Sequence, residues 1–144
     1  MPFFSRIPVD KKQIEAAISR LESLSSAELR VYIERKVPKA SAQLSAMERA
    51  LEVFDELEMH KTAAQNAVLI YVGYKNHLCK GIHQFVDVAY LQLQCDLMIE
   101  QFKQKAYTQG IVDAIDRISD ILSRHFPIQP DDVNELSNEV IING

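Results

Sequence analysis

The sequence predicts an α/β fold, a sheet carrying helices on both faces. Three observations predict it. A segment of period-two alternation, Leu29, Val31 and Ile33, lies between two stretches of helical spacing. A continuous apolar, β-branched run, Ala67–Val72, suits a central strand covered on both sides. Two further helical stripes then close the chain. The resulting order is α-β-α-β-β-α-α, and helices separated by buried strands build such a sheet. The second strand can lie parallel to the first through a right-handed crossover.

Each element has a local reason. Asp10 can cap the first helix, with Gln13 in the capping-box position. Ile14, Ala17, Ile18 and Leu21 follow at i, i+3, i+4 and i+7, and the helix ends near Ser23–Ser26. Glu28–Glu34 reads as a half-buried strand, with Arg30, Tyr32 and Glu34 on the outer face and Pro38 beyond it. Ser45 and Glu48 form a second capping box, although the helix could start as early as Ser41. Met47, Leu51, Phe54 and Leu57 form its expected buried stripe.

Gly73–Asn76 reads as a turn, and His77–Ile82 as a weaker strand, the hairpin partner. Ala89–Lys105 returns to helical spacing with Leu93, Leu97, Met98 and Phe102 inward. Tyr107–His125 is the clearest helix, and Pro127 stops it. Residues 1–128 are thus expected to form a single domain. Residues 129–144 are expected to be a mobile or loosely docked acidic tail.

Composition excludes several classes. A chain of 144 residues with 47% hydrophobic residues can bury a core without staples. Its net charge of −4, with no basic run, argues against nucleic-acid binding. The apolar run Ala67–Tyr74 is too short to span a bilayer. Met1–Val9 lacks a charged leader with an apolar stretch, so the expected location is cytoplasmic, without membrane insertion. Two cysteines make no disulfide framework, and Cys79 and Cys95 are expected to be reduced, partly buried thiols.

No phosphate loop, dinucleotide fingerprint or nucleophile elbow is present; the glycines are Gly73, Gly81, Gly110 and Gly144. A nucleophilic pairing of Cys79 or Cys95 with His83 lacks its motif context. His77, Cys79, His83 and Asp87 form the densest polar group. All are ligand types for zinc or a related ion, at a spacing that matches no standard structural zinc site. A strand edge with a packed thiol and solvated imidazoles explains the same residues. Glu28 sits at the mouth of the first strand, where a carboxylate can act as ligand or base, or simply as a turn partner.

Several segments together resemble the TPM domain family. Ser25-Ser26-Ala27-Glu28-Leu29-Arg30-Val31 resembles its opening, and Gln65-Asn66-Ala67-Val68-Leu69-Ile70-Tyr71-Val72 its central strand. Lys80-Gly81-Ile82 resembles the end of its Gly-Asp-x-Gly-Ile segment. Phe102, Tyr107 and Gly110-Ile111 resemble its last helix junction, while Phe126-Pro127 and Asn134-Glu135-Leu136 resemble the ending of stand-alone members.

The resemblance implies a Rossmann-like, three-layer α/β/α sandwich around a small mixed sheet. It also implies a divalent-metal site, and in some plant members acid phosphatase activity. The corresponding site residues here are Glu28, Asn66, Cys79, His83 and Asp87. The departures are specific: Leu78-Cys79 replaces Gly-Asp, His83 replaces an oxygen donor, and Gln65 replaces Arg. Lost oxygen ligands disfavour calcium or magnesium. The expected function is therefore a non-catalytic interaction or scaffold module for a protein partner, with a degenerate metal site and no certain cofactor. The alternatives are a metal-dependent phosphomonoesterase using Glu28, Asn66 and Asp87, or a zinc-binding variant using His77, Cys79 and His83.

Overall fold

The computed structural model describes residues 7–61, 66–75, 77–83, 88–128 and 139–143. The elements are α1 (Lys11–Leu24), β1 (Glu28–Glu34), α2 (Ala46–Glu56), β2 (Ala67–Gly73), β3 (Leu78–Ile82), α3 (Val88–Lys103), α4 (Tyr107–His125) and β4 (Ile141–Asn143). Short 3-10 turns occupy Lys39–Ser41 and Met59–Lys61.

The Ser45–Glu48 capping box forms as expected, whereas Asp10 caps α1 without the box: Gln13 bonds its carboxylate and the Asp10 N–H donates to Thr108. The Asp10 carboxylate accepts from the backbone N–H groups of Lys12 and Gln13. The Ser45 hydroxyl accepts from Glu48 N–H, and the Glu48 carboxylate accepts from Ser45 N–H. Both devices satisfy orphan donors of a first helical turn.

The sheet order is β3-β2-β1-β4. β1 pairs in parallel with β2 and β4, and β3 pairs antiparallel with β2, so the sheet is mixed. The pleat sends Leu29, Val31, Ile33, Val68, Ile70 and Val72 to one face, against α1, α3 and α4. Tyr32, Leu69 and Tyr71 face the other way, onto Ala50, Val53 and Phe54 of α2. Each buried aliphatic side chain contributes roughly 1.5–3 kcal/mol. The fold is the α/β/α sandwich.

Five details depart from expectation. The last described residues are not a loose tail: Tyr32, Ile33 and Glu34 pair with Ile141, Ile142 and Asn143, and Val140 is buried. Residues 129–138 lie outside the described residues. The outer face of β1 is buried as well, because α2 covers Tyr32 and an arginine satisfies Glu34.

The α2 stripe runs through Arg49, Ala50, Val53 and Phe54, leaving Leu51 46% exposed. The α3 stripe runs through Leu91, Cys95, Met98 and Phe102, with Leu93 and Leu97 exposed. Close approach fixes that rotation. An added Cβ on Gly81 would lie 3.0 Å from the Leu91 Cβ, and one on Gly110 would lie 3.3 Å from the Met98 carbonyl. Finally, Cys79 and Cys95 are not free thiols. They are joined as a disulfide between β3 and α3, with Cα atoms 5.2 Å apart.

Candidate functional site

The register places one end of the sheet as a meeting point. β1 begins at Glu28 opposite Ala67, the first residue of β2. β3 runs the other way, pairing Ile82 with Leu69, so His83 leaves the sheet at this same end. Glu28 and Asn66 are both buried, and Glu28 N–H donates to the Asn66 carbonyl at 3.1 Å. The Asn66 side-chain amide donates to the Ser26 carbonyl. Among the described residues, its buried Oδ1 has no hydrogen-bond partner.

The end of α4 is stitched to the same corner. Ser26 N–H donates to the Phe126 carbonyl at 2.8 Å. The Ser25 hydroxyl lies 2.7 Å from that oxygen and 3.1 Å from the Leu122 carbonyl, and it accepts from Ala27 N–H at 3.0 Å. The serine hydroxyl thereby joins the last turn of α4 at carbonyls that also accept the N–H groups of Phe126 and Ser26.

His83 packs against Phe126 edge to face, with ring centroids 5.1 Å apart. Burial, helped by the nearby His125 charge, pulls its imidazole down to about 4. At neutral pH the ring is therefore uncharged.

Beside this corner, α2 and the end of β3 enclose an open apolar cavity of about 370 Å³. Met47, Leu51, Phe54 and Ile82 line it, with His60 and His83 at its polar margin. Its size is that of a small-molecule or side-chain pocket.

The five sequence-predicted site residues separate into three groups. Glu28, Asn66 and His83 share the sheet end. Asp87 lies outside the described residues. Cys79 sits within β3, paired with Val72 and bonded to Cys95, so its sulfur is not a ligand. His77 lies at the β2–β3 turn, six residues before His83 along an extended strand, about 20 Å away. This geometry overturns the zinc constellation of His77, Cys79 and His83. Among the described residues, no three His, Cys, Asp or Glu side chains stand close enough to hold one ion.

The donor set can be tested directly against a hard cation. The Asn66 Oδ1 and the Glu28 carboxylate are suitable oxygens. Calcium and magnesium take six or more oxygen ligands, and His83 supplies a nitrogen. Glu28 and Asn66 together offer fewer oxygens than such an ion takes.

Sequence reasoning missed the neighbours of His83, because Phe126 and His125 come from a distant segment. It also missed a buried polar network on the opposite side of the sheet. Arg49 bonds Glu34 through Nε at 3.0 Å and Nη2 at 2.8 Å, and the Tyr71 hydroxyl donates to the same carboxylate. One signal was available: Arg49 stands four residues before Val53, on the apolar stripe of α2.

Comparison with known proteins agrees with this architecture. The TPM domain family matches residues 7–121. The chain is also similar to the NMR structure of the BA42 protein from the psychrophilic bacterium Bizionia argentinensis. That match has a TM-score of 0.82 and 29% identity, covering 97% of this chain and 99% of the other. No curated protein matches the chain.

Proposed function

The chain belongs to the TPM domain family, and from that premise we propose that it is a non-catalytic member, a protein-interaction module with a degenerate divalent-metal site. One observation carries the reading. His83 takes the position where the family resemblance expects an oxygen donor, and its ring is buried, uncharged and packed on Phe126. An imidazole so placed supplies no negative charge to a hard cation. The neighbouring apolar cavity, with Leu51 exposed at its margin, offers a seat for a partner's side chain.

The test is a titration of the tag-free protein with calcium, magnesium and zinc, followed by backbone amide shifts. The expected result is no saturable change at Ser26, Glu28, Asn66 or His83. No turnover of a simple aryl phosphate is expected with any of the ions. Saturable shifts at that corner together with metal-dependent turnover would overturn the proposal.

A second reading has a specific observation in its favour. Among the described residues, the buried Asn66 Oδ1 has no hydrogen-bond partner, an arrangement an incoming cation would relieve. On that reading the corner is the remnant core of a metal-dependent phosphomonoesterase, with Asp87 as a further ligand. A bound cation would polarise a phosphoryl oxygen. Glu28 and Asn66 would hold it, and Asn66→Ala would abolish any calcium- or magnesium-induced shifts.

A further inference from the structure

We propose that the Cys79–Cys95 bond is a thiol-exchange site, opened by a small dithiol that reaches Cys79 first, and that its opening loosens the strand end carrying His83. The proposal is independent of the metal reading.

The two sulfurs are not equally approachable. Both cysteines are buried, Cys79 at 4% exposure and Cys95 at 1%. An open surface depression of about 300 Å³ lies over β3 and α3. Cys79 forms part of its wall with Lys80, Gln92, Asp96 and Lys103, whereas Cys95 does not line it. Lys80 and Lys103 on that wall are matched by Asp96 and Glu100, so access rather than net charge distinguishes the two sulfurs. Access governs which sulfur of a disulfide is attacked.

The exchange balances. The dithiol's first sulfur, as thiolate, attacks the Cys79 Sγ and breaks the S–S bond. Cys95 leaves as a thiolate and takes a proton. The dithiol's second thiolate then attacks its own partner sulfur in the mixed disulfide, and Cys79 leaves and is protonated. The protein gains two electrons and two protons, and the dithiol becomes a disulfide.

The consequence follows from position. Among the described residues β3 is an edge strand, paired only with β2. Cys79, Gly81 and His83 alternate along one face. The disulfide ties that face covalently to α3; without it, the strand keeps the packing of Gly81 on Leu91 and the Lys80–Gln92 hydrogen bond of 3.0 Å. Reduction therefore removes the covalent tie on the segment that delivers His83 to the sheet end.

The experiment uses the full chain, equilibrated with oxidised glutathione and then treated with 2-mercaptoethanol or dithiothreitol. After equilibration, denatured protein should take up no maleimide; uptake of two would overturn the proposal. Acid-quenched 2-mercaptoethanol reactions, mapped by peptide mass, should carry the adduct on Cys79 over Cys95 by about tenfold or more. Equal labelling, or labelling of Cys95, would overturn the order of attack. Dithiothreitol should shift amides across Leu78–His83 and Leu91–Met98; an unmoved His83 amide would sink the coupling. The Cys79→Ser, Cys95→Ser double variant should not respond to dithiothreitol, and the same shifts in it would also defeat the idea. Should that variant not fold, the wild-type mapping and shifts decide alone.

Discussion

Arg49 of α2 holds Glu34 of β1 in a two-point grip, 2.8 and 3.0 Å long, with both side chains sealed from solvent. The carboxylate hydrogen bond raises the Arg49 guanidinium far above its usual range. Burial first, and then Glu34, hold the Tyr71 phenol proton in place. Ser41 and Glu52 extend the network, with the Ser41 hydroxyl donating to Glu52 at 2.6 Å. A buried pair of this kind is expensive to break and cheap to replace whole.

Arg49→Met should therefore destabilise the fold by about 3–5 kcal/mol, because Glu34 is left charged and unpaired. The double change Arg49→Met with Glu34→Leu should recover much of that loss. Urea denaturation of the three proteins checks it; a double variant as weak as the sum of both singles would contradict the coupling.

Stability should fall in mild acid. The His83 imidazole titrates at about 4 in the native state and near 6.5 when unfolded. Between those values the unfolded chain takes up a proton that the native state refuses. Native stability from this group is complete above about pH 6.5 and declines as the pH falls toward 4. Each unit is worth about 1.4 kcal/mol, which bounds the loss at roughly 3 kcal/mol. The comparison is with His83→Gln, which removes the titrating ring itself. Denaturation midpoints between pH 7 and 4 should drop less in that variant.

Gly81→Ala should destabilise by about 1–3 kcal/mol, the usual range for overpacking. Its new methyl meets the Leu91 Cβ at 3.0 Å, an atom fixed to the α3 backbone that cannot swing aside. Thermal melts will show this, and an unchanged melting temperature would mean that α3 can move away from β3.

Deleting residues 140–144 removes β4 and the Val140 side chain, which is buried. A loss of about 2–3 kcal/mol is expected from the apolar burial alone. Amides of Tyr32–Glu34 should lose protection from hydrogen exchange. If they keep it, β4 contributes little to the sheet.

Periodicity exposed most of the architecture. Ile14, Ala17, Ile18 and Leu21 point inward as their spacing requires, and Ala67–Val72 is covered on both faces as its unbroken apolar run implies. On α3, spacing placed Met98 and Phe102 inward correctly but Leu93 and Leu97 wrongly. These two are as apolar as Leu91, and only the close approach of Gly81 to Leu91 selects it. β4 was hidden because three residues carry too little pattern to distinguish a strand from a tail. At the candidate site, Glu28 was legible as a strand-mouth residue, and Asn66 entered through the family resemblance. The Cys79–Cys95 bond was not, since a pairing across 16 positions depends on where β3 meets α3.

The seam between Ser25–Ser26 and Leu122–Phe126 has a consequence for how the molecule opens. It fastens the end of α1 to the end of α4, which lie about a hundred positions apart in sequence, and Arg20 reaches Asp116 along the same interface. Neither helix can detach without exposing the apolar stripe of the other. Their amides should exchange with solvent at a common rate set by global unfolding, making the pair one cooperative unit.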